Sequence, residues 1–215
     1  MPVDLYDSSL SAPCALVRMV AKHVGVELNV KELNFFEKEH LSPEFLKINP
    51  FHKVPTISDD GFVIYESTAI CLYLLNKYAP DSDLYPKDLQ KRARVDQVLA
   101  TVTSFVQPRY EEFYRNCAML TKKPTAQQVQ DLEETALKGL EHLVGDGKFA
   151  VGDALTLADL SLVAYLSYSI MMPVLDREKF SKLVSYYERV SAEMPHFAET
   201  KAIAEWHAQK WSALK

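Results

Sequence analysis

The hydrophobic pattern of the chain changes character near residue 80. Before that point, short runs with strand-like alternation are interleaved with runs of helical period. After it, apolar residues recur only at helical spacing. Strands and helices that give way to helices alone predict an α/β domain followed by an all-α domain. We place the α/β domain at residues 1–79, a linker containing prolines and aspartates at residues 80–87, and the all-helical domain at residues 88–215.

The first domain is predicted to have the element order β-α-β-α-β-β-α. Two strands separated by a helix form a parallel pair, whereas the last two strands, joined by a turn at Asp59-Asp60-Gly61, form an antiparallel hairpin. The result is a four-stranded mixed sheet with helices around it. The strands are expected at residues 3–6, 26–33, 54–58 and 62–65, and the helices at residues 13–24, 43–49 and 66–78.

The second domain begins with a long helix, expected from Asp88 to about Met119. Pro108 should kink it, because proline removes a helical hydrogen bond. Thr125–Gln128 and Thr156–Asp159 have the spacing of capping boxes, which open helices. Those two helices are expected to end near Val144 and Met171, and further helices are expected at residues 183–194 and 197–210.

The overall composition narrows the classes of partner. With 215 residues, of which 48% are hydrophobic and 25% charged, the chain has a globular composition. Its net charge of −5 argues against a nucleic-acid partner, because nucleic-acid-binding domains are usually basic. No apolar run approaches the roughly 18 residues that a membrane span needs, so we expect no membrane partner.

The cysteines and the N-terminus indicate a compartment. Cys14, Cys71 and Cys117 are odd in number and lack Cys-x-x-Cys spacing, so we expect neither a disulfide framework nor a cysteine metal site. The first residues lack the basic region and apolar stretch of a secretory signal. We therefore expect a cytoplasmic protein.

Hydroxyl side chains cluster between the first strand and the first helix, in the run Ser8-Ser9-Leu10-Ser11 before Ala12-Pro13-Cys14. A serine there either caps the helix or donates a hydrogen bond to an anion held at the positive end of the helix. The residue pattern leaves both roles open for each serine.

Two further segments have features that suit a peptide ligand. Lys53-Val54-Pro55 precedes a strand, where a cis bond exposes backbone groups of Val54 to an extended peptide; the alternative is a plain loop proline. Glu66-Ser67-Thr68 opens a helix. Ser67 either caps that helix or, together with Glu66, binds the carboxylate and ammonium groups of an α-amino acid.

His40 and His52 flank the short second helix. A pair of histidines is more often a surface feature than a site, and no cysteine or carboxylate completes a recognisable metal ligand set. Combined with the segments around Ser11, Pro55 and Ser67, the pair predicts a site for a short extended peptide. That peptide would carry a free amino acid end and an anionic group near Ser11.

The arrangement of these motifs resembles that of the cytosolic glutathione transferases, most like the arthropod delta and epsilon classes. The resemblance covers essentially the whole chain, and its series Asn-Pro, Val-Pro and Glu-Ser-x-Ala-Ile is specific. The matching motifs are Ser11-Ala12-Pro13-Cys14, His40 to Pro50, His52 with Val54-Pro55, Glu66-Ser67-Thr68-Ala69-Ile70, and Thr156-Leu157-Ala158-Asp159.

The resemblance implies a thioredoxin-like first domain that binds glutathione, a helical second domain, and a homodimer. It implies no cofactor and no metal, because glutathione is itself the co-substrate. Ser11 matches the catalytic serine of the family, and Pro55 matches its cis proline. Contacts with glutathione are implied for His40, His52, Lys53, Val54, Pro55, Glu66, Ser67 and Thr68.

Three positions depart from the family pattern: Ala15 and Thr68 stand where arginine is usual, and Phe51 stands where glutamine is frequent. The contact of position 68 with the γ-glutamyl carboxylate is therefore left open. Two other groups compete with Ser11. Tyr6 lies where other transferase classes keep a catalytic tyrosine, and Cys14 as a nucleophile would give a thiol–disulfide enzyme. We favour Ser11 because Ala-Pro-Cys follows it directly.

The expected activity is conjugation of the detoxification type, in which Ser11 stabilises the glutathione thiolate for attack on a small hydrophobic electrophile. The alternatives are a non-catalytic protein of the same fold that binds glutathione or hydrophobic ligands, and a glutathione-dependent isomerase or peroxidase. Aromatic residues on a helix also pack cores, and an arginine also lies on surfaces. With those alternatives open, the electrophile is expected between the domains, near Leu10, Phe105, Arg109, Tyr110 and Phe113.

Overall fold

The computed structural model of the protein describes residues 2–116 and 121–214. The chain divides into two compact units, Met1–Ser82 and Asp83–Lys215. In the first unit strands and helices are mixed, whereas in the described part of the second unit every regular element is a helix. The predicted fold class, an α/β domain followed by a helical domain, is confirmed.

The sheet of the first unit contains β1 (Val3–Asp7), β2 (Leu28–Glu32), β3 (Thr56–Asp59) and β4 (Phe62–Tyr65). The strand order is β2-β1-β3-β4. β1 is parallel to β2 and antiparallel to β3, and β3 and β4 form an antiparallel hairpin. The predicted mixed sheet of four strands is therefore confirmed.

Two strand starts differ from the expected positions, for local reasons. The β3 ladder begins at Thr56, because Pro55 has no N–H to donate. The β2 strand begins at Leu28, because the N–H of Val26 bonds to Ala21 O and still belongs to the end of the preceding helix.

The helices of the first unit are α1 (Ala12–His23), α2 (Pro43–Leu46) and α3 (Ser67–Tyr78). A 3₁₀ turn, Glu39–Leu41, precedes α2. Nearly every residue of the first three turns of α1 is buried, and α3 buries its apolar face. The core of this unit therefore lies between the sheet and these two helices. Its α3 residues are Ile70, Cys71, Leu74 and Leu75.

The second unit starts with a continuous helical run whose expected end near Met119 lies outside the described residues. The run contains a π-helical segment, Val102–Val106, immediately before Pro108. Proline has no N–H for the carbonyl four residues earlier, and its ring displaces that carbonyl, so the hydrogen-bond ladder changes register there. The flanking helices are α4 (Leu89–Thr101) and α5 (Gln107–Asn116).

The remaining helices include both predicted capping boxes, at Thr125–Gln128 and Thr156–Asp159. The expectation that the helix after Thr156 reaches Met171 is wrong, since it ends at Leu166. Beyond that point Ser167 and Ser169 hydroxyls donate to backbone carbonyls of the preceding turn, which competes with helical continuation. The helices are α6 (Ala126–Leu132), α7 (Lys138–Val144), α8 (Leu157–Leu166), α9 (Ser181–Glu193) and α10 (Ala198–Ser212), with a π-helical segment, Glu133–Leu137, between α6 and α7.

None of the helices in the described residues has the length and apolar character of a membrane span.

Candidate functional site

Three chain segments leave the sheet of the first unit at the same edge. Tyr6 near the end of β1 is paired with Thr56 at the start of β3, and Thr56 is paired with Tyr65 at the end of β4. Because the strand pairing fixes these positions side by side, the connections that adjoin them emerge together. Those connections carry Ser11, Val54–Pro55 and Glu66–Ser67.

Ser11 is the N-cap residue of α1. It has extended backbone geometry and is half-buried, and its hydroxyl oxygen accepts a hydrogen bond of 3.3 Å from the Cys14 N–H. The hydroxyl therefore lies at the positive end of a helix of three turns, where an anion is stabilised. Both roles that the sequence left open, capping and donation to an anion, are compatible with this position, since a hydroxyl oxygen can accept the cap bond while its proton is donated to another group.

The Val54–Pro55 peptide bond is cis. The loop before it is braced by Asn49, whose side chain is fully buried. Asn49 Nδ2 donates to the Lys53 carbonyl and to Thr56 Oγ1, each at 3.0 Å. This buried amide fixes the course of the chain between α2 and β3. Sequence reasoning gave Asn49 no role of its own, although an asparagine directly before a proline is a common loop signal.

Glu66 is the N-cap residue of α3 and Ser67 is its first helical residue, so Ser67 does not itself cap the helix. Glu66 has a φ of +70°, a conformation that costs a residue with a side chain free energy. Its side chain is exposed, whereas Ser67 is buried. A strained residue that presents a carboxylate beside the N-terminus of a helix is a feature that functional sites often contain.

His40 and His52 lie together, with ring centroids 6.3 Å apart. Phe35 stacks on the His40 ring with centroids 4.3 Å apart, a contact that sequence reasoning missed. Burial lowers the pKa of His40, and the charges of His52 and Lys53 lower it further. His40 Nδ1 is buried and has no hydrogen-bond partner among the described residues. The group thus combines positive charge with an unsatisfied polar atom.

Cys14 lies in the first turn of α1 and is fully buried. Burial raises the pKa of its thiol well above the usual range, and the Asp7 carboxylate raises it further. A thiol that stays protonated and inaccessible is a poor nucleophile. The geometry therefore favours a packed thiol over a thiol–disulfide enzyme.

Comparison with known proteins decides the family. Residues 1–76 match the family described as "Glutathione S-transferase, N-terminal domain", and residues 103–210 match "Glutathione S-transferase, C-terminal domain". The chain belongs to the glutathione S-transferase family. The family consists of transferases that use glutathione as co-substrate, so the chain is an enzyme of this type.

Solved structures of insect glutathione transferases resemble the chain over its whole length. A delta-class enzyme of Nilaparvata lugens is 36% identical with a TM-score of 0.87, and all of both chains is covered. An epsilon-class enzyme of Musca domestica is 32% identical with a TM-score of 0.80, covering 99% of each chain. A Drosophila mojavensis homologue solved with bound glutathione is 29% identical with a TM-score of 0.88, covering 99% of this chain and 97% of that one. The resemblance to these two classes is confirmed.

The positions where the glutathione S-transferase motifs are altered have distinct surroundings. Ala15 is fully buried in α1. Thr68 is half-buried in the first turn of α3. Phe51 is 59% exposed and its ring lies 5.6 Å from that of Tyr65.

The residues expected around the electrophile differ in exposure. Phe105 is 38% exposed, and the Arg109 guanidinium lies over its ring at 4.2 Å. Tyr110 is 1% exposed, and its hydroxyl is 2.9 Å from Ser169 Oγ. Leu10 is half-buried in the loop before α1. Arg109 and Phe113 also border a groove of about 470 Å³ within the helical unit, lined by Arg109, Glu112, Phe113, Gln128, Asp131, Leu132, Glu134 and Thr135.

Among the described residues, no cluster of histidine, cysteine, aspartate or glutamate side chains is placed to hold a metal ion.

Proposed function

We propose that the protein is a glutathione transferase in which the Ser11 hydroxyl stabilises the thiolate of bound glutathione for attack on a hydrophobic electrophile. The thioredoxin-like domain, residues 1–79, binds glutathione, and the helical domain, residues 88–215, contributes the co-substrate site after a linker at 80–87. The observation that carries the proposal is the common sheet edge from which the segments of Ser11, Pro55 and Ser67 emerge.

Charge along this edge suits glutathione in one orientation. Glu66 offers a carboxylate for the ammonium group, and the start of α3 at Ser67 and Thr68 receives the γ-glutamyl carboxylate. The glycyl carboxylate belongs at the other end, with His40, His52 and Lys53. Burial lowers the pKa of His40 and its cationic neighbours lower it further; it is this neighbouring positive charge that supports the end as an anion site.

The middle of the tripeptide would pair with the backbone at Val54–Pro55. Extended peptides bind exposed strand edges through main-chain hydrogen bonds. Asn49 holds the adjacent Lys53 carbonyl and Thr56 hydroxyl in place, so the segment is pre-organised. A peptide anchored at both ends and in the middle delivers its cysteinyl sulfur to the helix start that carries Ser11.

The free energy by which Ser11 has to stabilise the thiolate is modest. A free thiol has a pKa of about 8.5, and lowering it by about two units requires roughly 2.7 kcal/mol. A hydrogen bond from a hydroxyl to an anion supplies roughly 1.5–3 kcal/mol, and the helix N-terminus adds roughly 0.3–1 kcal/mol. The two together are sufficient, so no metal is needed in the proposal.

Ser11 is favoured over the rival hydroxyl of Tyr6. The Tyr6 ring packs against Phe45, with centroids 5.4 Å apart, and Lys31 Nζ lies 5.0 Å from the ring. These contacts give the tyrosine a packing role on the face of β1 opposite to the buried Leu5 and Asp7. Ser11, in contrast, lies at a helix N-terminus.

In the helical domain, Phe105 and Arg109 are the proposed first contacts of the electrophile. Both are partly exposed and they stack on each other, which presents an apolar surface with a cation at its rim. Tyr110 and Phe113 are buried and would shape the pocket by supporting α5.

We also propose a cytoplasmic homodimer that acts in detoxification.

The test compares turnover of a general aromatic electrophile by the wild type and by Ser11→Ala, Tyr6→Phe and Ser9→Ala. The proposal expects Ser11→Ala to lower kcat by about ten- to a hundredfold, while Tyr6→Phe and Ser9→Ala change it by less than about threefold. Retention on immobilised glutathione is measured in parallel. A wild type that is retained but shows no turnover on a panel of electrophiles would indicate a carrier and contradict the proposal.

A further inference from the structure

A buried ion pair joins a residue that precedes Ser11 in the sequence to one that follows it. Asp7 ends β1 and is 2% exposed, and Arg18 lies on α1 and is 9% exposed. Arg18 Nη1 lies 2.7 Å from Asp7 Oδ1 and 2.6 Å from Asp7 Oδ2. A buried ion pair is weak evidence for stability, because removing both charges from water offsets much of their attraction. The pair therefore invites an explanation in terms of the site.

The pair helps to hold the loop before Ser11. Arg18 Nη2 makes a long contact of 3.5 Å with the Ser9 carbonyl oxygen. The Ser9 N–H donates to Glu32 Oε1 at 2.8 Å. Charged side chains thus contact the Ser9 backbone at both its N–H and its carbonyl, which restrains the loop that leads to Ser11.

Cys14 connects the ion pair with Ser11. Its side chain is fully buried, and both the Asp7 carboxylate and the Ser11 hydroxyl lie close enough to it to shift the pKa of its thiol. The carboxylate can only accept, so the thiol proton points toward Asp7. With its proton directed there, the sulfur is a weak, neutral acceptor for the Ser11 hydroxyl. A thiolate at Cys14 would instead compete strongly for the Ser11 proton.

We propose that Asp7 and Arg18 are positioning residues for Ser11: the ion pair keeps the Cys14 thiol donating to Asp7 and so leaves the Ser11 proton directed to the substrate sulfur. This inference rests on the proposed function, in which Ser11 donates to the glutathione thiolate.

Arg18 has a second effect, which is electrostatic. Asp7 is faced by Arg18 and Cys14 from α1 and by Glu32 from β2. Without the guanidinium, Asp7 and Glu32 would place two negative charges near the anion that Ser11 has to stabilise. Arg18 offsets the charge of Asp7, since it binds both oxygens of that carboxylate.

The principal experiment measures the pKa of bound glutathione from its thiolate absorbance, together with kcat and KM, in Arg18→Gln. We expect that pKa to rise by about one unit, which lowers kcat at acid pH by about tenfold, whereas KM for glutathione changes by less than about threefold. The double variant Asp7→Asn/Arg18→Gln should return the pKa to within about 0.3 units of the wild type, because it removes the uncompensated charge of Asp7 while the amide oxygen still accepts the Cys14 proton.

Two further variants are controls, one for a folding defect and one for a general effect of charge. Arg18→Lys keeps the cation but loses the planar fork, so it should fold and raise the glutathione pKa by about half a unit. Asp4→Asn on the same strand removes the exposed Lys31 pair, whose N–O distance is 2.6 Å, and should leave the pKa unchanged.

An unchanged pKa of bound glutathione in Arg18→Gln and Arg18→Lys, with only the melting temperature lowered, would overturn the positioning role. That outcome differs from failure of the proposed function itself. In the latter case Ser11→Ala would also leave the glutathione pKa and kcat unchanged.

Discussion

Among the helices that begin with a hydroxyl residue at the N-cap position, two have contrasting surroundings. Thr156 at the start of α8 is 3% exposed, and its N–H and hydroxyl donate to Asp159 Oδ2 at 2.8 and 3.0 Å. Ser11 at the start of α1 is half-buried, and its oxygen accepts a longer bond of 3.3 Å from Cys14. The first hydroxyl is held within the core, whereas the second lies at the edge of a sheet.

The difference is whether every polar atom of the cap already has a hydrogen-bond partner within the protein, and this separates a structural cap from a candidate site. Asp159 is fully buried, and its second oxygen accepts the Ala150 N–H at 2.8 Å and the Tyr186 hydroxyl at 2.7 Å. The carboxylate thus has partners on both oxygens and no exposure to a ligand. The proposed glutathione site instead combines a partly exposed hydroxyl, a His40 nitrogen that has no partner among the described residues, and the strained Glu66 backbone.

The largest effect is expected from Asp159→Ala. Removing the carboxylate leaves the Thr156 N–H, the Ala150 N–H and the Tyr186 hydroxyl without their acceptor in a buried site. We expect a loss of about 3–5 kcal/mol in the free energy of unfolding, measured by urea denaturation. The matched control is Asp146→Ala, which breaks the surface pair with Lys182 and should leave the free energy of unfolding almost unchanged. Equal losses of unfolding free energy in the two variants would contradict the distinction between a buried carboxylate with partners on both oxygens and an exposed one.

A slightly smaller effect concerns His207 in α10, which is 5% exposed among aromatic rings. Burial lowers the pKa of His207 from 6.5 to about 4, so the folded state keeps the ring neutral while the unfolded chain takes up a proton. Stability is therefore lost as the pH falls from 6.5 to about 4, by about 3 kcal/mol in total. In His207→Phe the fall in unfolding free energy over this range should be smaller by that amount. The same pH dependence in variant and wild type would contradict the assignment.

The two N-cap hydroxyls can be compared directly by alanine substitution. Thr156→Ala should lower the free energy of unfolding by about 1–2 kcal/mol, with turnover per folded molecule unchanged. Ser11→Ala should lower it by only about 0.5–1 kcal/mol, because its cap bond is longer and half-exposed. Chemical denaturation and specific activity are measured on both variants. If Thr156→Ala lost activity without losing stability, the division between cap and site would be wrong.

The smallest effect is expected at the exposed capping box of α6. The Thr125 hydroxyl accepts from the Gln128 N–H at 3.2 Å, and both side chains lie outside the core. Thr125→Ala should therefore cost about 0.5–1 kcal/mol of stability and leave the glutathione KM unchanged. A loss of stability as large as that of Asp159→Ala would show that burial does not determine how much a capping residue stabilises the protein.

Local sequence signals predicted much of this architecture. The alternating strands and the two capping boxes each depend on residues within a few positions of one another, so they can be predicted from the sequence. The end of α8 could not be read, because the apolar run continues past Leu166 into buried turns. The π-helical segment before Pro108 was also missed, since proline was expected only to kink the helix.

The residues of the candidate site also fall into two groups, those that a local motif predicts and those that it does not. Ser11, Pro55 and Ser67 follow motifs, and their common sheet edge follows from strand order. The supporting residues depend on tertiary contacts that no local pattern encodes. Asp7 meets Arg18 only when β1 packs against α1, and Phe35 meets His40 only in the folded loop before α2.

The most direct test of the central claim is a pH titration of the thiolate absorbance of glutathione bound to the wild type and to Ser11→Ala. We expect a pKa near 6.5 in the wild type, about two units below that of a free thiol, and a value at least one unit higher in the variant. Both proteins should retain glutathione on an affinity column, since the ends of the tripeptide are held elsewhere. The same lowered pKa in the wild type and in Ser11→Ala would contradict the claim that the Ser11 hydroxyl stabilises the thiolate.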